Sequence, residues 1–193
     1  MKKLLIALLS ISAVTACAPT PSAPSSNVVV NDSASASTLA AAYDLITKEA
    51  TGMPVGNLMA RKTVYVFFDP KCPHCADLWN NTRELQKDVK FIWVPAALLS
   101  RASQAEGAAL LESGPNYSAA MDHHAKLVLS RQNPSVPSVK DASLATVRKN
   151  TELVQKMSLE GVPYLFYKDP TTGQVRTAKG GLPAAMVVTS LGL

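Results

Sequence analysis

The chain has 193 residues and a formal net charge of +5, from 19 Lys and Arg against 14 Asp and Glu. Setting aside Lys2 and Lys3 leaves 17 against 14, a formal +3 without a basic run, so an electrostatic footprint for nucleic acid is excluded. Three cysteines are too few for a multi-bridge disulfide framework, and the length suits one well-cored domain.

Met1-Lys2-Lys3 is a basic start, and Leu4 to Ala13 is apolar or small without charge. This is the pattern of a secretory signal, shorter than the about 20 apolar residues that span a bilayer. The region ends Val14-Thr15-Ala16-Cys17, which resembles the bacterial lipobox. That resemblance implies cleavage after residue 16, lipid on Cys17 and attachment to the outer membrane, facing the periplasm. Cleavage after Ala18 is the alternative, disfavoured because Pro19 follows the cut. Residues 17–38 are rich in Pro, Ser and Ala and read as a lipidated Cys followed by a disordered tether. Its flexible part has a reach on the order of 25 Å.

Residues 39–193 read as one globular domain. Leu39 to Ala50 is helix-forming and is stopped by Gly52 and Pro54. Thr63 to Phe68 is a buried strand, rich in β-branched and aromatic residues. A helix opens at Pro73, where proline is tolerated, and is expected to run to about Asp88. Lys90 to Val94 is a second strand, and residues 101–131 are helical with a break at Ser113-Gly114-Pro115. A further helix spans about Ala142 to Leu159. Tyr164 to Tyr167 and Val175 to Thr177 pair across a turn at residues 169–173, and Leu182 to Leu191 is a last helix. Trp79 and Trp93 read as core, and Met53 and Met59 as gap-fillers. The order, with a C-x-x-C at residues 72–75 just after the first long strand, is that of an α/β thioredoxin fold with a helical insertion, a central mixed sheet flanked by helices.

Cys72-Pro73-His74-Cys75 lies at the junction of the first long strand and its helix. Unpaired N–H groups and the positive end of the helix dipole favour a thiolate on Cys72, the form that attacks disulfides. Cys75, one turn on, is the resolving thiol. With Cys17 lipidated, these two make the one remaining pair, and export places it where disulfides persist. A bridge across so short a loop is a weak staple, which points to function. A structural zinc site needs four ligands, and no second C-x-x-C or H-x-x-x-H is present, so no metal and no cofactor beyond the Cys72–Cys75 redox pair is expected. Pro73 fixes the turn, and His74 is expected to tune the pair by giving a hydrogen bond or charge to the Cys72 thiolate. Lys71 adds exposed positive charge, worth little by itself. Asp69-Pro70 ends the strand, and Asp69 as proton acceptor for Cys75 is an open alternative. His123 and His124 point to different helix faces. His124 shares register with Tyr117, Met121 and Val128 and is assigned to a packed face.

VYVFFDPKCPHC (64–75), LWNN (78–81), GVPYLFYKD (161–169) and KGGLP (179–183) together resemble the catalytic domain of periplasmic disulfide isomerases of the DsbC/DsbG type, DsbG the nearer of the two. The resemblance covers roughly residues 40–193. It implies a cis proline at Pro163 facing the sulfurs, with Val162 offering its backbone to an extended substrate. CPHC and Val162 themselves resemble the oxidase DsbA, whereas the isomerases carry Thr before this proline. The isomerases' full N-terminal dimerisation domain is not expected here. The implied protein is a periplasmic thiol:disulfide oxidoreductase that reduces, isomerises or forms disulfides. Its implied partners are cysteine-containing exported proteins and a membrane thiol-redox partner. The alternatives are a non-enzymatic chaperone or envelope-assembly lipoprotein and, third, a copper-handling protein.

Overall fold

A computed structural model describes residues 28–31 and 33–193. The signal segment and Cys17 lie outside the described residues. Helix α1 (Ala36–Glu49) begins where the Ser35 hydroxyl accepts the Thr38 N–H at 3.2 Å, a side-chain N-cap. This start corrects the tether boundary at residue 38. So does Val30, which is fully buried and donates its N–H to the Met157 carbonyl at 2.9 Å. Burying that valine beside Ile46 and Met157 removes apolar surface from water, which favours docking of this stretch over a solvated coil.

The chain then forms β1 (Met53–Gly56), β2 (Thr63–Phe68), α2 (Pro73–Asn81), β3 (Lys90–Pro95), α3 (Arg101–Glu112), α4 (Tyr117–Leu129), α5 (Asp141–Lys156), β4 (Tyr164–Lys168), β5 (Val175–Lys179) and α6 (Ala184–Leu191). The sheet order is β1-β3-β2-β4-β5. β2 and β3 run parallel, as their α2 crossover requires, and the other pairings are antiparallel. β1 was not anticipated. Pro54 fits there because it is exposed on an edge strand, while Met53 and Val55 face the core. α2 is shorter than expected. It ends at Thr82, whose hydroxyl donates to the Leu78 carbonyl at 2.8 Å, and a 3-10 turn (Arg83–Lys87) follows.

Both faces of the sheet are covered, so the central strands read as near-continuous apolar runs. On one face Val64, Val66 and Phe68 of β2 pack with Trp79, Trp93, Met121 and Leu191. On the other, Phe67 packs with Tyr43, Ile46, Val154 and Phe166 from α1, α5 and β4. Trp79 and Trp93 meet edge to face at 5.2 Å, and the Trp79 indole N–H donates to Asp122 of α4 at 2.7 Å. Those contacts seat α4 of the insertion against α2, and so against the cysteines.

Candidate active site

Cys72 is the N-cap of α2 and Pro73 its first residue, so the Cys72 sulfur lies at the mouth of the helix. Both cysteines are buried free thiols. The Cys72 pKa is lowered to about 7. The chief cause is the Cys75 thiol donating to the Cys72 thiolate, joined by the backbone N–H groups of Cys75 and His74; burial and Asp69 oppose them. Cys75 is pushed the other way, far above an ordinary thiol, by burial and by its neighbour Cys72. The pair is thus split into an attacking sulfur ionised near neutral pH and a resolving sulfur held protonated.

The Val162–Pro163 peptide is cis, and the Cys72 thiol donates to the Val162 carbonyl at 3.6 Å. Cys72, Cys75, Val162 and Pro163 therefore converge at one site. A third loop joins them. The Gly180 N–H donates to the Pro163 carbonyl at 3.0 Å, and Gly180 has φ +92°, a conformation glycine adopts freely. A Cβ on Gly181 would lie 2.8 Å from the His74 carbonyl, so only glycine lets this loop approach the CPHC turn. No role was assigned to this glycine pair from sequence; the Gly-Gly of KGGLP was the available signal.

His74 departs from expectation. Its ring is exposed, with Nδ1 3.9 Å from Asp77 Oδ2, and its backbone N–H is what faces the Cys72 thiolate. The helix accounts for this: first-turn N–H groups point along the axis toward the cap, whereas side chains radiate away. Lys71 also departs. It is half-buried rather than free, with Nζ 2.8 Å from Glu106 Oε1 of α3 and 2.9 Å from Asn133 Oδ1.

Asp69 is fully buried and holds the reactive loop. Its Oδ1 accepts the Lys71 N–H at 2.7 Å and the Ser103 hydroxyl at 2.8 Å. Its Oδ2 accepts the N–H groups of Leu98 at 2.7 Å and Leu99 at 2.8 Å. His124 is buried on the Tyr117–Met121–Val128 face and donates from Nε2 to the Pro70 carbonyl at 2.8 Å. His123, beside it, is exposed.

A five-stranded mixed sheet with a dithiol at a helix mouth, opposite a cis-proline loop, defines a thioredoxin fold. The chain belongs to the thioredoxin-like domain family, whose pattern matches residues 58–192. It is 30% identical over 116 residues to the thiol:disulfide interchange protein DsbG of Pseudomonas aeruginosa, a match covering 58% of this chain and 44% of that protein. The matched region thus spans less than half of the relative. Among solved structures, the catalytic domain of Proteus mirabilis ScsC superposes with a TM-score of 0.59 at 21% identity, covering 80% of this chain and 94% of that one. The thiol-disulfide exchange protein α-DsbA2 of Wolbachia pipientis superposes with a TM-score of 0.59 at 17% identity, covering 79% and 94%.

Proposed function

We propose that this protein is a thiol:disulfide oxidoreductase acting on cysteine-containing exported proteins in the periplasm. The observation that carries the reading is the split pair: Cys72 with a pKa of about 7 at a helix mouth, Cys75 buried behind it, and the Val162 carbonyl 3.6 Å from the Cys72 sulfur. Cys72 attacks a substrate disulfide, and a substrate sulfur leaves as thiolate. Cys75 then displaces the second substrate sulfur from the mixed disulfide, closing Cys72–Cys75. No cofactor beyond that redox pair takes part. An extended substrate segment lies along Val162 and pairs with its backbone. The basic, apolar N-terminal segment supports export, Cys17 is the proposed lipid attachment point, and a membrane thiol-redox partner resets the pair.

The direction best supported is reduction or isomerisation. A Cys72 pKa of about 7 matches thioredoxin's value of about 7 rather than DsbA's of about 3.5. A Cys72–Cys75 potential well below about −200 mV is expected for that direction. Cys72→Ala is expected to abolish dithiothreitol-coupled reduction and refolding of a scrambled disulfide protein. Unchanged activity in that variant defeats the reading. A Cys72–Cys75 potential near −120 mV would instead make the protein an oxidase.

A further inference from the structure

We infer that His124 and Glu106, both on the helical insertion, carry the proton between Cys75 and solvent during the resolving step. The inference rests on the exchange chemistry proposed above. Cys75 must become a thiolate to attack the mixed disulfide on Cys72, yet its sulfur is sealed from solvent at 2% exposure. The nearest acid, Asp69, already accepts four hydrogen bonds, two at each oxygen. A carboxylate offers about four lone-pair sites, so Asp69 has none left for an incoming proton.

Glu106 is different. Its Oε1 holds Lys71, but Oε2 is buried without a hydrogen-bond partner, 3.6 Å from His124 Nε2. Buried oxygens rarely stay unpartnered, and those that do call for a reason. Two cavities supply it. One of about 10 Å³ is lined by Asp69, Cys72, Cys75, Met121 and His124, room at the lower limit for one water. The other, about 230 Å³, is lined by Glu106, Leu110, His123, His124, Pro134 and Val136. His124 is the wall between them, so it joins the space beside Cys75 to the cleft at Glu106.

In the resolving step the Cys75 proton passes through a water in the small cavity to Nδ1 of His124, because Nε2 already carries the proton donated to the Pro70 carbonyl. The Cys75–Cys72 bond forms as the bond from Cys72 to the substrate sulfur breaks, and that sulfur leaves with the electron pair. The imidazolium is stabilised by Glu106, and the proton departs through the larger cleft. The substrate disulfide is reduced and the cysteine pair oxidised; the opposite direction returns the proton by the same path. The other charged or titratable groups facing this path are Asp69, Lys71, Cys72 and His123.

The test uses the reduced full chain and an aromatic disulfide whose released thiolate is coloured. A first phase reports Cys72 attack and a second reports resolution by Cys75. Glu106→Gln and His124→Gln are expected to slow the second phase at neutral pH by at least about tenfold, the low end of general-base effects being larger still. They should leave the first phase within about twofold and converge with the parent chain at alkaline pH, where hydroxide removes the proton. Glu106→Asp is expected to recover more of the rate than Gln. A second phase unchanged in both Gln variants overturns the relay, as does equal slowing of both phases, the mark of a merely structural role. Loss of the first phase in the parent chain would instead defeat the exchange reading itself.

Discussion

The two halves of the site are built from different ranges of the chain. The β2–α2 half takes its groups from neighbours in sequence: the Cys72 sulfur, the N–H groups of His74 and Cys75, and the Pro73 turn. The insertion half reaches the same loop from afar, through Ser103 to Asp69, Glu106 to Lys71, and His124 to the Pro70 carbonyl. The near half makes Cys72 reactive chiefly through the Cys75 thiol one turn on, joined by the backbone N–H groups of Cys75 and His74 at the helix mouth. The far half buries charge, and buried charge holds only with partners, so it fixes the loop in place and leaves Glu106 with one open oxygen.

That contrast can be broken most sharply at Lys71. Lys71→Met strands a buried Glu106 carboxylate and is expected to cost about 3–5 kcal/mol in denaturant unfolding. The Lys71→Met/Glu106→Met double variant should regain most of that loss, since replacing a whole buried pair is often close to neutral. Asp69→Asn comes next. An amide cannot accept all four donors now shared by the carboxylate, so at least one buried N–H loses its partner, and a loss of about 1–3 kcal/mol is expected in the same measurement. The smallest effect belongs to the near half. Alkylation of Cys72 in the reduced protein should have its midpoint near pH 7, because its pKa is lowered to about 7. Below the midpoint the thiol is protonated and the rate falls as pH drops; above it the rate levels off. His74→Ala, with the ring turned to solvent and the backbone N–H retained, is expected to move that midpoint by less than about half a unit. A larger shift would return the His74 ring to the role assigned it from sequence.

Much of the fold was legible along the chain. β2 read correctly because β-branched and aromatic residues filled it without a break, and the gap between α3 and α4 was marked by Gly114-Pro115. The turn at Asp169 was also marked: the Asp169 carboxylate accepts the N–H groups of Thr171 and Thr172, and Gly173 takes φ +73°. β1 escaped because four residues flanked by Gly52 and containing Pro54 look like a loop until an edge beside β3 accepts them. The end of α2 escaped because neither a glycine nor a proline marks it: the chain passes at Thr82 straight into the 3-10 turn Arg83–Lys87. Val30 escaped because only the groove beside Met157 gives an isolated valine stretch somewhere to be buried.

Along one strand-to-helix junction, local sequence alone marked the candidate reactive pair: Cys72 at the helix mouth beside the first-turn N–H groups, and Cys75 one turn on past Pro73. Tertiary structure decided what surrounds them. The partners of Asp69, Lys71 and Pro70 arrive from α3 and α4 and the loop leading to them, and the Gly181 approach to His74 arrives from beyond β5. Spacing along a chain carries no record of such meetings. They are set by which faces the packed helices turn toward the sheet, and by the requirement that every buried charge and N–H meet a partner there.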